Sequence, residues 1–202
     1  MIRRFDHIGG RLSGRVRAFS GDATGAAVVE FALFMPVLIL ILLAGFEIAQ
    51  ALSVDRKVTD TTAELASIIS EQPSPLTSSA VQSFMTDTSE IMKPFSNTNL
   101  SITMSEVTTS STCTAGNCPT TYNWVQSQSS GNPGANGTVI SGSTPFTGLP
   151  TSLQVPSTSY ILVQTTYTYN PTVGTHYVGS IPLAAQLYIS PRRATTILCT
   201  DC

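Results

Sequence analysis

Charged side chains are scarce in this sequence of 202 residues. They make up 11% of the chain, against about 25% in typical soluble domains, whereas 42% of the residues are hydrophobic. Part of the deficit comes from an uncharged run from Phe31 to Phe46, and the rest from a body rich in Ser, Thr, Gly, Asn and Gln. The length fits one modest domain joined to a membrane segment, or a single larger domain.

Histidine is almost absent, with only His7 and His176 in the chain. Catalysis by a nucleophile and a base needs a titratable base beside the nucleophile, and His176 stands in a Thr/Tyr-rich turn. No glycine-rich phosphate loop follows a predicted strand. The glycine-containing segment 132–137 has the composition of a turn instead. We therefore predict no enzyme activity and no cofactor.

The basic residues are unevenly distributed along the chain. Five of the ten fall in the first 17 positions, namely Arg3, Arg4, Arg11, Arg15 and Arg17. No aromatic residues alternate with a basic patch, so the sequence predicts no nucleic-acid binding. Ahead of an apolar run, a basic leader predicts a cytoplasmic amino terminus and a translocated carboxyl side.

Four cysteines, Cys113, Cys118, Cys199 and Cys202, all follow the apolar run. An even count in an exported domain favours two disulfides, and of the three possible pairings the two local ones are the simplest. A four-thiolate zinc site is the alternative. The Cys199–Cys202 spacing resembles a redox motif, but no helix follows it.

The apolar run predicts one membrane-spanning helix. The segment 26–48, about 23 residues long, rises about 35 Å as a helix and can cross a hydrocarbon core of about 30 Å. Glu30 lies inside this segment, where an unpaired carboxylate costs about 2.5–3.5 kcal/mol. We therefore expect Glu30 to have a partner. Pro36 removes a backbone donor, so we expect a local kink there.

A cleavable signal peptide is the alternative reading of the same segment. The small residues Ala49 and Ala51 would then form the recognition site, with cleavage before Leu52. The leader of about 25 residues and the apolar run are both longer than is usual for signal peptides. Glu47 also lies at the outer end of the run, so we favour a helix that is retained in the membrane.

The segment Gly25–Leu33 (GAAVVEFAL), followed by Pro36 and an aliphatic run, resembles the amino terminus of TadE/TadG-like proteins. These are pseudopilins of the tight adherence (Tad, or Flp) type IV pilus system. The segments Asp55–Thr59 and Gln186–Arg192 also look like those of family members. The Cys113 to Cys118 region departs from the family pattern.

The resemblance implies cleavage by a prepilin peptidase after Gly25. Ala26 would then become the mature amino terminus, and Glu30 its fifth residue with Phe31 beside it. The new amine on Ala26 and Glu30 of a neighbouring subunit would neutralise each other in hydrocarbon. The implied partners are the peptidase, other pilin-like subunits, the inner-membrane pilus platform and membrane lipid.

Helical spacing continues beyond the predicted span. The spaced residues Val54, Val58, Thr61, Leu65 and Ile69 predict one helix that continues to about Ser70 and ends before Pro73. Ser74 and Pro75 are typical of a helix start. They predict a second helix that closes at Lys93-Pro94, with an apolar face formed by Leu76, Ala80, Phe84 and Ile91.

Alternation of polar and apolar residues begins at Leu100 and predicts strands. The candidate strands are 100–104, 122–125, 160–169 and 181–189, in an antiparallel sheet of three to five strands. The segment 127–150 is predicted to be an exposed loop. The fold class is thus α+β, with a basic leader (1–25), a transmembrane helix (26–48) and a pilin-like periplasmic domain (49–202).

Two functions of different classes remain at this stage. The first is a pseudopilin-like structural or assembly component of a Tad pilus, held in the inner membrane with its amino terminus in the cytoplasm. The second is a periplasmic binding or adhesion module for which the helix is only a tether. Glu30 discriminates between them, since a tether has no need of a carboxylate in its span.

Overall fold

A computed structural model describes residues 23–114, 117–129, 144–172 and 179–202. The chain divides into two compact units, residues 1–48 and 49–202. Residues 1–22, which include His7 and most of the basic leader, lie outside the described residues, as does His176. The described elements are helices α1 (Ala23–Ser70) and α2 (Ser78–Ser89) and strands β1 (Leu100–Thr109), β2 (Thr120–Ser129), β3 (Thr144–Phe146), β4 (Ser159–Tyr169) and β5 (Ile181–Ile189).

Helix α1 confirms the prediction of one helix that runs through the apolar segment as far as Ser70. The helix continues through Pro36, and the kink at this residue stays a prediction. The helically spaced residues from Val54 to Ile69 are buried, because they form the face that packs into the core of the second unit. After the helix, Arg192 N–H donates to the Ser70 carbonyl at 2.8 Å.

Helix α2 begins later than predicted. Ser74 and Pro75 precede it, and Thr77 is the N-cap, whose hydroxyl accepts from the Ala80 N–H at 3.3 Å. The predicted start was wrong because the backbone of Leu76 is paired with the end of the chain. The predicted face was right in part, since Leu76 is buried and Phe84 packs against the core, but the buried residues within the helix are Val81, Met85, Thr88 and Ser89.

The sheet confirms the α+β class. Its five strands follow the order β3-β2-β1-β4-β5, and every neighbouring pair is antiparallel. Strand β1 lies at the centre, where Ile102 pairs with Gln128 on one side and Thr165 on the other. A register shift falls between Glu106 and Val107. Four strands match predicted segments, and the three-residue β3 was not predicted.

One face of the sheet packs against the carboxyl-terminal part of α1 and against α2. The cluster includes Leu65 and Ile69 of α1, Met85 of α2, and Ile102 and Val163 of the sheet. Its fully buried aliphatic side chains supply the main stabilisation of the unit.

The predicted loop 127–150 is too long at both ends. Residues 127–129 belong to β2 and residues 144–146 to β3, and Leu149 is buried. The intervening residues 130–143 lie outside the described part of the chain. Gln128 is buried in the same strand, which shows that a polar composition alone did not indicate exposure here.

Candidate functional site

The residues of the predicted processing and pairing site lie at the start of α1. Gly25, Ala26, Glu30 and Phe31 are all exposed. A Cβ atom added to Gly25 would meet no atom within 4 Å. Glycine inside a helix costs about 1 kcal/mol relative to alanine. Packing within the described chain therefore does not account for a glycine at this position.

Glu30 follows Ala26 by one turn of the helix, about 6 Å along its axis, on the same face. Among the described residues, none forms a hydrogen bond or ion pair with the Glu30 carboxylate. A helix that began at Ala26 would place this carboxylate close to its amino-terminal end, where a negative charge is favourable. The site therefore presents one accessible carboxylate at the start of an apolar helix.

The helix beyond Glu30 exposes a continuous apolar surface. Large apolar side chains from Val28 to Leu42 are between 45% and 73% exposed. Contiguous apolar patches on soluble monomers are rarely larger than a few hundred Å², so such a surface indicates a membrane or a protein partner. In the described part of the chain, one helix is long and apolar enough to cross a membrane.

The four cysteines form two local disulfides, Cys113 with Cys118 and Cys199 with Cys202. Thr114 and Asn117, which lie between the cysteines of the first disulfide, exchange backbone hydrogen bonds of 3.0 Å. Because all four sulfur atoms are bonded in pairs, none is available as a thiolate for the alternative zinc site. The two disulfides therefore match the local pairing that was predicted for an exported domain.

Glu106 is a buried carboxyl group that sequence reasoning missed. It is 0% exposed and accepts from Ser159 Oγ at 2.5 Å, Ile197 N at 2.7 Å and Asn123 Nδ2 at 3.2 Å. These contacts join β1, β2, β4 and the chain end. The available signal was that Glu106 is the only charged residue in the strand segment 100–109.

A surface cavity of about 510 Å³ lies between the Cys113–Cys118 ring and β3. Its lining is uncharged, and several of its polar groups already have partners within the chain. Gln154 accepts from the Cys118 N–H at 3.2 Å, and the Thr120 hydroxyl donates to the Phe146 carbonyl. The Phe146 ring packs on Tyr122 with centroids 4.8 Å apart. Several polar groups of this cavity are therefore already committed to contacts within the chain.

Comparison with known protein families adds a finding about the first helix. Residues 25–67 match the family model of TadE-like protein. The match begins at Gly25 and confirms the predicted resemblance over this segment. It points to a protein associated with Tad pili. The rest of the body, from residue 68 onward, lies outside the TadE-like match, and no curated protein and no solved structure matches the chain.

Proposed function

We propose that this protein is a pseudopilin-like structural or assembly component of a Tad pilus, processed after Gly25 by a prepilin peptidase. The observation that carries the proposal is that the TadE-like match starts at Gly25, at the head of an exposed apolar helix that contains Glu30. Neither an enzyme activity nor a cofactor is part of this function.

Gly25 supports the processing step. A side chain at this position would meet no other atom of the described chain, so packing there does not require a glycine. A peptidase that cuts after this residue gains close approach to the backbone from the missing Cβ. The carboxyl side of the cut would begin with Ala26 and carry a new positive charge.

Glu30 supports the pairing of subunits. In a bilayer its exposed carboxylate needs a partner, since the described residues provide none. The Ala26 amine of an adjacent pilin-like subunit has the opposite charge and lies at a similar depth. The ion pair would contribute mainly to register between subunits, because desolvation offsets much of the attraction.

The proposed placement is the inner membrane, with residues 1–25 in the cytoplasm, 26–48 in the bilayer and 49–202 in the periplasm. The arginine-rich leader supports this orientation. The two disulfides support an oxidising compartment for the body. Lipid, the peptidase, other pilins and the pilus platform are then its partners.

The processing step is tested by amino-terminal sequencing of the protein from a Tad-competent host. The wild type should start at Ala26, and Gly25→Val should remain uncut because its branched side chain obstructs the scissile peptide. Gly45→Val is the matched control, since Gly45 has equally open surroundings in the same helix. A start at Leu52 would identify a signal peptide, and an intact Met1 would leave a tether; either result contradicts the proposal.

The pairing step is tested with Glu30→Gln, which keeps the side-chain shape and removes the charge. We expect normal membrane levels and normal trimming, with loss of pilus production and of co-purifying pilins. Membrane insertion should not suffer, because burying an amide costs less than burying a carboxylate. Glu64→Gln, at an exposed position farther along the same helix, is the control for charge removal. Normal pili from trimmed Glu30→Gln protein would refute the pairing.

A further inference from the structure

The last six residues form a strap, residues 197–202, that is anchored in the body at its first residue. Ile197 is fully buried. Its N–H donates to Glu106 Oε1 at 2.7 Å, and its carbonyl accepts from Trp124 Nε1 at 2.6 Å. Both backbone groups of Ile197 are thus satisfied by buried side chains of the sheet.

The middle of the strap pairs with the segment that precedes α2. Leu76 N–H donates to the Leu198 carbonyl at 2.8 Å, and Thr200 N–H donates to the Leu76 carbonyl at 3.0 Å. The Leu198 N–H donates to Ser74 Oγ at 3.0 Å. These bonds form a short parallel pairing of Leu76 with Cys199. The strap therefore holds the connection between the two helices against the body.

The end of the strap places a carboxylate at the amino terminus of α2. Asp201 Oδ1 accepts from the Ser78 N–H at 2.7 Å, and Oδ2 accepts from Ser78 Oγ at 3.1 Å. Thr77 satisfies the Ala80 N–H from the other side. A carboxylate that binds free N–H groups at this end of a helix is favourable in both hydrogen bonding and charge.

Asp201 lies inside the ring that the Cys199–Cys202 disulfide closes, and Cys202 is itself buried in the core cluster. We propose that this ring is an oxidation-dependent clasp, which sets Asp201 against Ser78 and so completes the first turn of α2. A ring this short constrains few other residues of the unfolded chain, so its effect is local. The clasp closes only where the two thiols can be oxidised.

The closing step is thiol–disulfide exchange with a disulfide oxidant. The thiols of Cys199 and Cys202 lose two protons and two electrons and form one S–S bond, and the S–S bond of the oxidant takes up these protons and electrons and breaks to give two thiols. In the reduced chain we expect residues 199–202 to leave their position and the first turn of α2 to open. Ile197 should stay anchored by Glu106 and Trp124.

Hydrogen exchange of the full-length protein in detergent, read by mass spectrometry, tests the clasp. In Cys199→Ser/Cys202→Ser, peptides covering residues 76–81 and 198–202 should exchange at least five-fold faster than in the wild type. Cys113→Ser/Cys118→Ser, which removes the other disulfide, should leave those peptides unchanged. Fluorescence of Trp124, the only tryptophan, should keep its buried signature in both variants.

Asp201→Ala tests the carboxylate with the disulfide intact. Exchange in the first turn of α2 should rise roughly five-fold, the usual effect of losing one helix cap. The clasp is overturned if the first turn stays within two-fold of the wild type in either Asp201→Ala or the Cys199/Cys202 variant. It is also overturned if loss of that disulfide unfolds the whole body and exposes Trp124. Processing at Gly25 plays no part in these measurements, so this proposal and the pilus proposal fail separately.

Discussion

Glu106 shows how one side chain joins distant parts of the body. Its two carboxyl oxygens accept hydrogen bonds from Ser159, Asn123 and the backbone of Ile197. Each donor comes from a different segment, and the group is fully buried. A buried carboxyl group is tolerated only when such donors satisfy it.

We expect Glu106→Gln to lower the free energy of unfolding by about 1–3 kcal/mol, because an amide turns one acceptor into a donor that faces other donors. Urea unfolding of the full chain in detergent, followed by Trp124 fluorescence, measures this change. Glu90→Gln is the control, since Glu90 forms an exposed ion pair with Lys93 that contributes little. Equal, small effects from both substitutions would contradict the assigned role of Glu106.

Helix α1 contains two kinds of apolar surface in one continuous element. Leu42 is 72% exposed in the first unit, whereas Leu65 is 0% exposed in the second. Their chemistry is the same, so the difference lies in what surrounds them. The exposed part can contact lipid or other helices, whereas the buried part packs against the sheet.

We expect Leu65→Ala to destabilise the body by about 2–5 kcal/mol, the usual result of truncating a fully buried leucine. Leu42→Ala should leave the same unfolding midpoint unchanged, because Leu42 makes no contribution to the core of the second unit. Chemical unfolding of both variants in detergent, with Trp124 as the probe, checks the comparison. A large loss of stability in Leu42→Ala would show that the two parts of α1 are not energetically separate.

The body as a whole carries few ionisable groups, and tyrosines on its sheet respond to alkaline pH. Burial raises the pKa of Tyr122 and Tyr167. Burial also raises the pKa of Tyr188, and the nearby Tyr122 raises it further. The Tyr188 hydroxyl donates to the Gly148 carbonyl at 3.0 Å. Each of these groups holds its proton more firmly in the folded state than in the unfolded state.

We expect stability to be fully present below pH 10.0, the ordinary tyrosine pKa, and to fall as the pH rises through the higher folded values. The sign follows because the unfolded chain loses its phenolic protons first and is thereby favoured. Unfolding midpoints at pH 9 and pH 11 measure the slope. Tyr188→Phe should reduce that slope, and a midpoint that is higher at pH 11 would contradict the linkage.

Local patterns in the sequence were sufficient to predict the long helix, four strands, the α+β class and the two short disulfides. The roles of Gly25, Glu30 and Phe31 in processing and pairing stay predictions, because they depend on a peptidase and on other subunits. Helical and strand periods are local properties, so a single sequence displays them. Strand β3, three residues with Pro145 at its centre, is too short to show a period.

Other features depend on contacts that no local pattern reports. Ser78 and Asp201 are 123 positions apart, and Glu106 and Ile197 are 91 apart. Such pairs determine where α2 starts, why Glu106 is buried and where the strap (residues 197–202) binds to the body. Their formation depends on how the sheet and the helices packed on it bring distant backbone groups within hydrogen-bonding range, where buried donors and acceptors must find partners.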